Sequence, residues 1–233
     1  MRVFVFLFAF LFLITQAQEV TDNKTLIDRV YQNISGYHID DQERQLIEKS
    51  GGNPTYGEIT HAGSQKLAEV MELTKKDVFY DLGSGVGANV IRIYLETPVK
   101  KAIGVELAAS RHAGAQKAKE ELLKQKKLNK KRKLEFREGD IALAKIDDAT
   151  AVFMNSLCFS NDFMKVLTEK LSRLKPGLRV ATLRQIEDQE HFKLKGIYTI
   201  PMSWSKNSTV YVYTLEKRNK AKKKHVNKPS IKE

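Results

Sequence analysis

Four polar residues close four apolar, β-favouring runs of this sequence. Asp81 follows Val78-Phe79-Tyr80, Glu106 follows Ile103-Gly104-Val105, Asp140 follows the Leu134–Arg137 run and Gly139, and Asn155 follows Ala151–Met154. Ligands of open α/β sheets bind outside the carboxyl ends of the strands, so this pattern brings the four side chains to one pocket. Past Asp81 come three glycines at alternate positions, Gly83, Gly85 and Gly87, with Ser84 between the first two. That reads as a strand, a tight turn and a helix N-terminus, where glycine supplies unusual dihedrals or a close approach of backbone to ligand. Three carboxylates around one pocket repel a pyrophosphate. They suit a ligand with hydroxyls, an exocyclic amine and a positive charge, which describes S-adenosylmethionine. Glu106 would hold the ribose diol, Asp140 the adenine amine, and Asp81 with the glycine turn the amino-acid end. Gly83, Gly85 and Ala88 also satisfy the dinucleotide fingerprint G-x-G-x-x-G/A, but the acid ahead of the glycines favours the methyl donor.

The elements that must position these groups alternate along the chain. Thr60 caps a predicted helix to about Leu73, followed by the strand ending at Asp81-Leu82 and a helix over 89–96. Next come a strand at 101–106, a long basic helix over 109–128, and strands at 134–137 and 151–155. A helix over 162–174 is closed by Lys175-Pro176-Gly177 and followed by a strand at 178–183. The runs 196–202 and 209–215 have no helix between them and read as an antiparallel pair joined by a turn containing Trp204. The expected fold is α/β, a mixed seven-stranded sheet with antiparallel last strands. Ahead of it, residues 19–50 are expected to form short helices. Gly51 to Glu58 is a loop whose Tyr56 and Glu58 can cover the strand ends.

Composition bounds the partners. The 233 residues carry a net charge of +12, and most of it is local. Residues 116–133 hold nine Lys or Arg against two Glu, and residues 216–233 hold eight against two. Such patches suit nucleic acid or another polyanion, through the basic helix 116–133 and the tail 217–233; the plainer reading is a solvated face. The tail is expected to be disordered and also has the composition of a nuclear localisation signal. Cys158 is the only cysteine, which excludes an intrachain disulfide and a cysteine-based metal cluster; the five histidines show no ligand-like spacing, so no metal is expected. Residues 1–17 read as a secretory signal peptide: a basic start, an apolar run from Val3 to Ile14 and the small-residue pattern Thr15-Gln16-Ala17. An uncleaved membrane anchor is the alternative. The domain plan is therefore a signal peptide at 1–17, a helical lead-in at 18–50, a catalytic domain at 51–216 and a basic tail at 217–233. A monomer is expected. Three glycosylation sequons begin at Asn23, Asn33 and Asn207.

Taken in order, Tyr56-Gly57-Glu58, the Asp81–Gly87 turn, Gly104-Val105-Glu106, Gly139-Asp140, Asn155 to Phe159, Leu174 to Gly177, and Ser203-Trp204-Ser205 with Tyr211 resemble one family. It is that of the disruptor-of-telomeric-silencing (Dot-one) histone lysine methyltransferases, the non-SET class, and the similarity covers about residues 51–215. The resemblance implies a Rossmann-like class I methyltransferase fold, S-adenosylmethionine as cofactor and a protein substrate with an accessible lysine, in that family a histone on the nucleosome. It implies cofactor contacts from Tyr56, Glu58, Asp81, Gly83, Ser84, Gly85, Gly87, Glu106, Asp140, Ile141, Asn155 and Phe159. Asn155, Tyr211 and Glu58 become the catalytic candidates, with Trp204 and Tyr211 lining a lysine channel. The chain departs from the family at Ser156, where a second Asn is usual, and at Leu157, where an aromatic is usual. A small-molecule methyltransferase, or a polyanion-binding module that has kept the fold without catalysis, are the other readings.

Overall fold

The computed structural model describes residues 22–217. The signal-peptide reading and all but the first residue of the proposed tail lie outside them. A seven-stranded sheet organises the chain, in the order β3-β2-β1-β4-β5-β7-β6. The strands are β1 (Val78–Leu82), β2 (Lys101–Glu106), β3 (Lys133–Glu138), β4 (Ala151–Met154), β5 (Arg179–Thr182), β6 (Phe192–Met202) and β7 (Ser205–Leu215). β1 to β5 are mutually parallel, and β7 is antiparallel to both its neighbours, β5 and β6. β7 is thus the one strand that opposes the rest. The order reverses between β2-β1 and β4, the kind of switch point at which such sheets bind ligands.

Helices cover both faces: α1 over 22–30, α2 (Asp41–Lys49), α3 (His61–Val70), α4 (Ala88–Glu96), α5 (Ala109–Lys124) and α6 (Asn161–Ser172). β1 shows why its sequence is almost continuously apolar. Phe79 joins the cluster packed with α1, α3, α4 and α5, while Val78, Tyr80 and Leu82 join the cluster packed with α6. A central parallel strand is buried on both faces, so its positions are apolar except Asp81, next to the cleft end. Helix starts follow side-chain caps: Thr60 Oγ1 accepts from the Gly63 amide at 3.0 Å, and Ser160 Oγ from the Phe163 amide at 3.1 Å.

Two expectations need correcting. The basic stretch 116–133 is not one helix: α5 stops at Lys124, and Lys126 takes a positive φ of 55° as the chain turns toward β3. Arg132, counted there as surface charge, is tied to the carbonyls of Tyr94, Thr97 and Val99 and stacks on Tyr94. The terminal hairpin also starts earlier than expected, at Phe192, and Ser203-Trp204 alone separates its strands.

Candidate active site

The glycine turn after β1 carries the geometry its sequence suggests. Gly83, Gly85 and Gly87 have φ of 85°, 55° and 80°, in the left-handed region that favours glycine. The amides of Gly83 and Ser84 donate to the Val105 carbonyl at 2.9 and 3.0 Å, which ties the turn to β2. A Cβ on Gly83 would meet nothing nearer than the Phe159 ring at 4.0 Å, whereas one on Gly85 would strike the Tyr56 ring at 2.6 Å. The first leaves a cradle facing the cleft; the second lets an aromatic lie directly on the turn.

The two acids on adjacent strand ends are held differently. Glu106 is buried and accepts from the Gly85 amide at 2.8 Å and the Ala108 amide at 2.9 Å, so charge-assisted bonds to backbone fix its orientation. Asp81 is 3% exposed and accepts from Asn89 Nδ2 at 2.7 Å. Burial pushes its carboxyl up to about 7, with the Asn89 bond opposing the rise and the neighbouring Glu106 charge adding to it. A cation placed beside Asp81 would offset that burial penalty.

The loop from Gly51 to Glu58 forms the opposite wall. Tyr56 donates its hydroxyl to Glu58 Oε1 at 2.6 Å, and the Arg111 guanidinium lies 4.6 Å from the Tyr56 ring centre. Burial, and then the Glu58 carboxylate, hold the Tyr56 hydroxyl far above the usual phenol range, so it stays a donor. Glu58 is locked to the terminal hairpin by two bonds: its amide donates to Ser203 Oγ at 3.0 Å, and its carbonyl accepts from the Ser203 amide at 2.7 Å. Asn155 Nδ2 donates to the Gly57 carbonyl at 2.9 Å, while the Trp204 ring lies over Gly57, where a Cβ would approach it to 2.5 Å.

These walls enclose a solvent-open cleft of about 900 Å³. Of the residues singled out from sequence, Tyr56, Glu58, Asp81, Gly83, Ser84, Gly85, Glu106, Asp140, Ile141, Asn155 and Phe159 line it. Gly87 instead heads α4 behind the turn. Tyr211 sits in mid-β7 opposite Thr182 and Ile197, and is not part of the lining. Asn89, Leu107, Arg111 and Phe163 also line the cleft and carry no motif that marks them. Ser156, the departure from the family pattern, turns inward: it bonds Thr182 Oγ1 at 2.6 Å and accepts from the Leu183 and Arg184 amides at 3.2 and 3.1 Å. It locks β4 to β5 and faces no ligand.

The model of the family described as histone methylation protein DOT1 matches residues 39–210. The chain belongs to the DOT1 family. A protein-lysine N-methyltransferase of Saccharolobus islandicus is 29% identical to it over 155 residues, covering 65% of this chain and 87% of that protein. The H3 lysine-79 specific histone-lysine N-methyltransferase of Caenorhabditis elegans is 30% identical over 146 residues, or 59% of this chain. The match spans about 15% of that nematode protein's length. Among solved structures, an RNA methyltransferase from Salinibacter ruber in complex with S-adenosyl-L-homocysteine superposes with a TM-score of 0.52 at 26% identity. It covers 67% of this chain and 92% of that one. A putative methyltransferase from Escherichia coli, at a TM-score of 0.51 and 12% identity, shares the fold.

The DOT1 domain here is therefore a class I methyltransferase domain, and its cofactor is S-adenosylmethionine. The cleft fits that molecule. Gly83 leaves a cradle that any side chain would fill, and three acids face a ligand with a positive end. The Ser84 hydroxyl, which lines the cleft, is buried with no hydrogen-bond partner among the described residues.

Proposed function

We propose that this DOT1-family chain is a protein-lysine N-methyltransferase whose acceptor lysine enters beside Asn155. The observation that carries the reading is the Asn155–Gly57–Trp204 contact at the rim of the cofactor cleft. It sets an amide and an exposed aromatic face where a long cationic side chain would enter. Bound S-adenosylmethionine supplies a sulfonium methyl for in-line attack by a neutral amine. The chain's own contribution is orientation and exclusion of water. Glu106 and the glycine turn hold the cofactor, Asn155 fixes the loop that closes over it, and the aromatic faces of Phe159 and Trp204 favour a passing cation by about 0.5–2 kcal/mol each when desolvated. The amine gives up its proton to solvent on leaving bulk water.

For the acceptor we favour a basic or polyanion-bound protein, with histone as the first candidate. Lys117 and Lys119 of α5 and Lys126, Lys127, Lys130 and Lys131 beyond it make no ion pair among the described residues. α5 starts beside the cleft, with Arg111 of its first turn in the lining, and runs 16 residues, about 24 Å along its axis, so these lysines lie from its middle to beyond its C-terminal end. A polyanion held there would reach the cleft only through a macromolecular substrate. The N-terminal segment supports export, which makes an envelope or host protein the alternative acceptor.

The test is incubation with labelled methyl donor and, separately, nucleosomes, free histones and source-cell extract. Label should enter protein in at least one arm and fall at least about 100-fold with Asn155→Ala, the scale seen when one positioned amide is removed from a reaction centre. Transfer by the Asn155→Ala protein at the wild-type rate would reject the assignment.

A further inference from the structure

Lys170, in the last turn of α6, reaches across to another element. Its ammonium donates to the carbonyls of Ile141 at 2.8 Å, Ala142 at 3.0 Å and Ala144 at 2.5 Å. A lysine ammonium has three N–H donors and no acceptor, so its whole hydrogen-bonding capacity is given to one backbone turn. That turn follows β3 and is wound on Asp140. The Ala142 amide donates to Asp140 Oδ1 at 2.7 Å, and the amides of Leu143 and Ala144 donate to its carbonyl at 3.0 and 2.8 Å. A single helical turn ends in carbonyls with no partner of its own, and a cation satisfies both their lone pairs and their dipole. Burial pulls the ammonium below the usual lysine range, while the Asp140 and Asp147 charges act to hold it charged.

Lys170 does not line the cleft, yet both elements it joins do. The turn carries Asp140 and Ile141; the other end of α6 carries Phe163, with Phe159 just ahead of it and edge-on to it at 5.2 Å. The geometry points to Lys170 as a positioning residue for the adenosyl half of the cofactor. It fixes the spacing between the Asp140–Ile141 turn and the Phe159–Phe163 wall. This rests on the reading that the cleft takes S-adenosylmethionine, which wild-type binding of S-adenosylhomocysteine tests by itself.

The experiment is calorimetric titration of S-adenosylhomocysteine and of 5′-methylthioadenosine, which lacks the amino-acid end, into wild type, Lys170→Met, Lys170→Gln and Lys170→Arg. Lys165→Met, an exposed change on the same helix, is the control. Lys170→Met should weaken both ligands in parallel by about tenfold, the size expected when a residue that orients ligand-holding groups is lost. Lys170→Gln, which keeps two N–H donors and guards against a misfolded Met variant, should lie between Met and wild type. Lys170→Arg should recover affinity to within about threefold, and Lys165→Met should match wild type. At saturating cofactor, kcat should stay within about twofold while KM for the methyl donor rises. Unchanged affinity in Lys170→Gln, a loss confined to S-adenosylhomocysteine, or a fall in kcat without a change in KM would each overturn the proposal. Failure of the wild type to bind S-adenosylhomocysteine would instead reject the cofactor reading.

Discussion

The side-chain amide of Asn155 donates to the carbonyl of Gly57, joining the end of β4 to a loop 98 positions earlier in the chain. Trp204 packs on that same glycine from the hairpin. Three distant segments therefore meet at one residue without a side chain. Gly57→Ala places a methyl group 2.5 Å from the indole, so either ring or loop must move. Trp204 is the only tryptophan, and its emission should report this directly: a red shift in Gly57→Ala, with methyl transfer falling at least about tenfold.

Asp81 makes cofactor affinity depend on pH. Its folded carboxyl is raised to about 7 from an ordinary value of 3.8. The free folded protein therefore binds more protons than the unfolded chain between those two values. Stability should decline as pH rises through that window and level off above it, by on the order of a few kcal/mol in total. The α-ammonium of the ligand's amino-acid end favours the ionised form, so binding S-adenosylhomocysteine at about pH 6 should release a proton, and at about pH 8.5 it should release none. Titration in buffers of different ionisation enthalpy measures this. Asp81→Asn should abolish the release, weaken binding and raise the melting temperature at alkaline pH.

Arg111 should govern closure of the loop wall. Its guanidinium donates to the carbonyls of Gly36 and Pro54, both at 2.9 Å, and it is 5% exposed. Nearby, Glu43 of α2 accepts from the amide and hydroxyl of Ser110, at 2.5 and 2.6 Å. Arg111→Ala leaves two carbonyls and the Tyr56 ring without their partner, a loss of about 2–4 kcal/mol. Limited proteolysis should then cut near residues 36–56, and S-adenosylhomocysteine should protect less than it does in wild type.

Much of the site was legible because strand ends and turn residues are local signals. Asp81, Glu106, Asp140 and Asn155 each end an apolar run, and the glycines follow one of them. Arg111, Asn89 and Lys170 were not legible, because each acts on backbone or side chains brought close only by folding. A lysine that caps a turn across the structure has the same spelling as one in solvent. The hairpin start was missed for a related reason. Lys193, Leu194 and Lys195 are all exposed on edge strand β6, so the segment reads as polar although Phe192 is fully buried.

Asp77 separates stability from catalysis. At the end of the sheet away from the cleft, it accepts from Thr74 twice, at 2.7 and 2.9 Å, from Thr150 at 2.7 Å, and from Arg179. Burial alone would raise its carboxyl, but the bonds from Thr150 and Thr74 and the Arg179 charge outweigh it and hold the group below the usual range. Its contribution is present above the ordinary carboxylate value and is lost as pH falls through the folded one. Asp77→Ala should lower unfolding free energy by about 3 kcal/mol in chemical denaturation, leaving Arg179 partly buried and uncompensated. Affinity for S-adenosylhomocysteine at low temperature should be unchanged.

The chemical identity of the methylated atom decides which reaction the cleft performs. Protein labelled by the wild-type chain, hydrolysed in acid and resolved as free amino acids, should yield the label as Nε-methyllysine, and none should form with Glu106→Ala. Label recovered in nucleic acid, in a small molecule or at another side chain would contradict lysine as the acceptor.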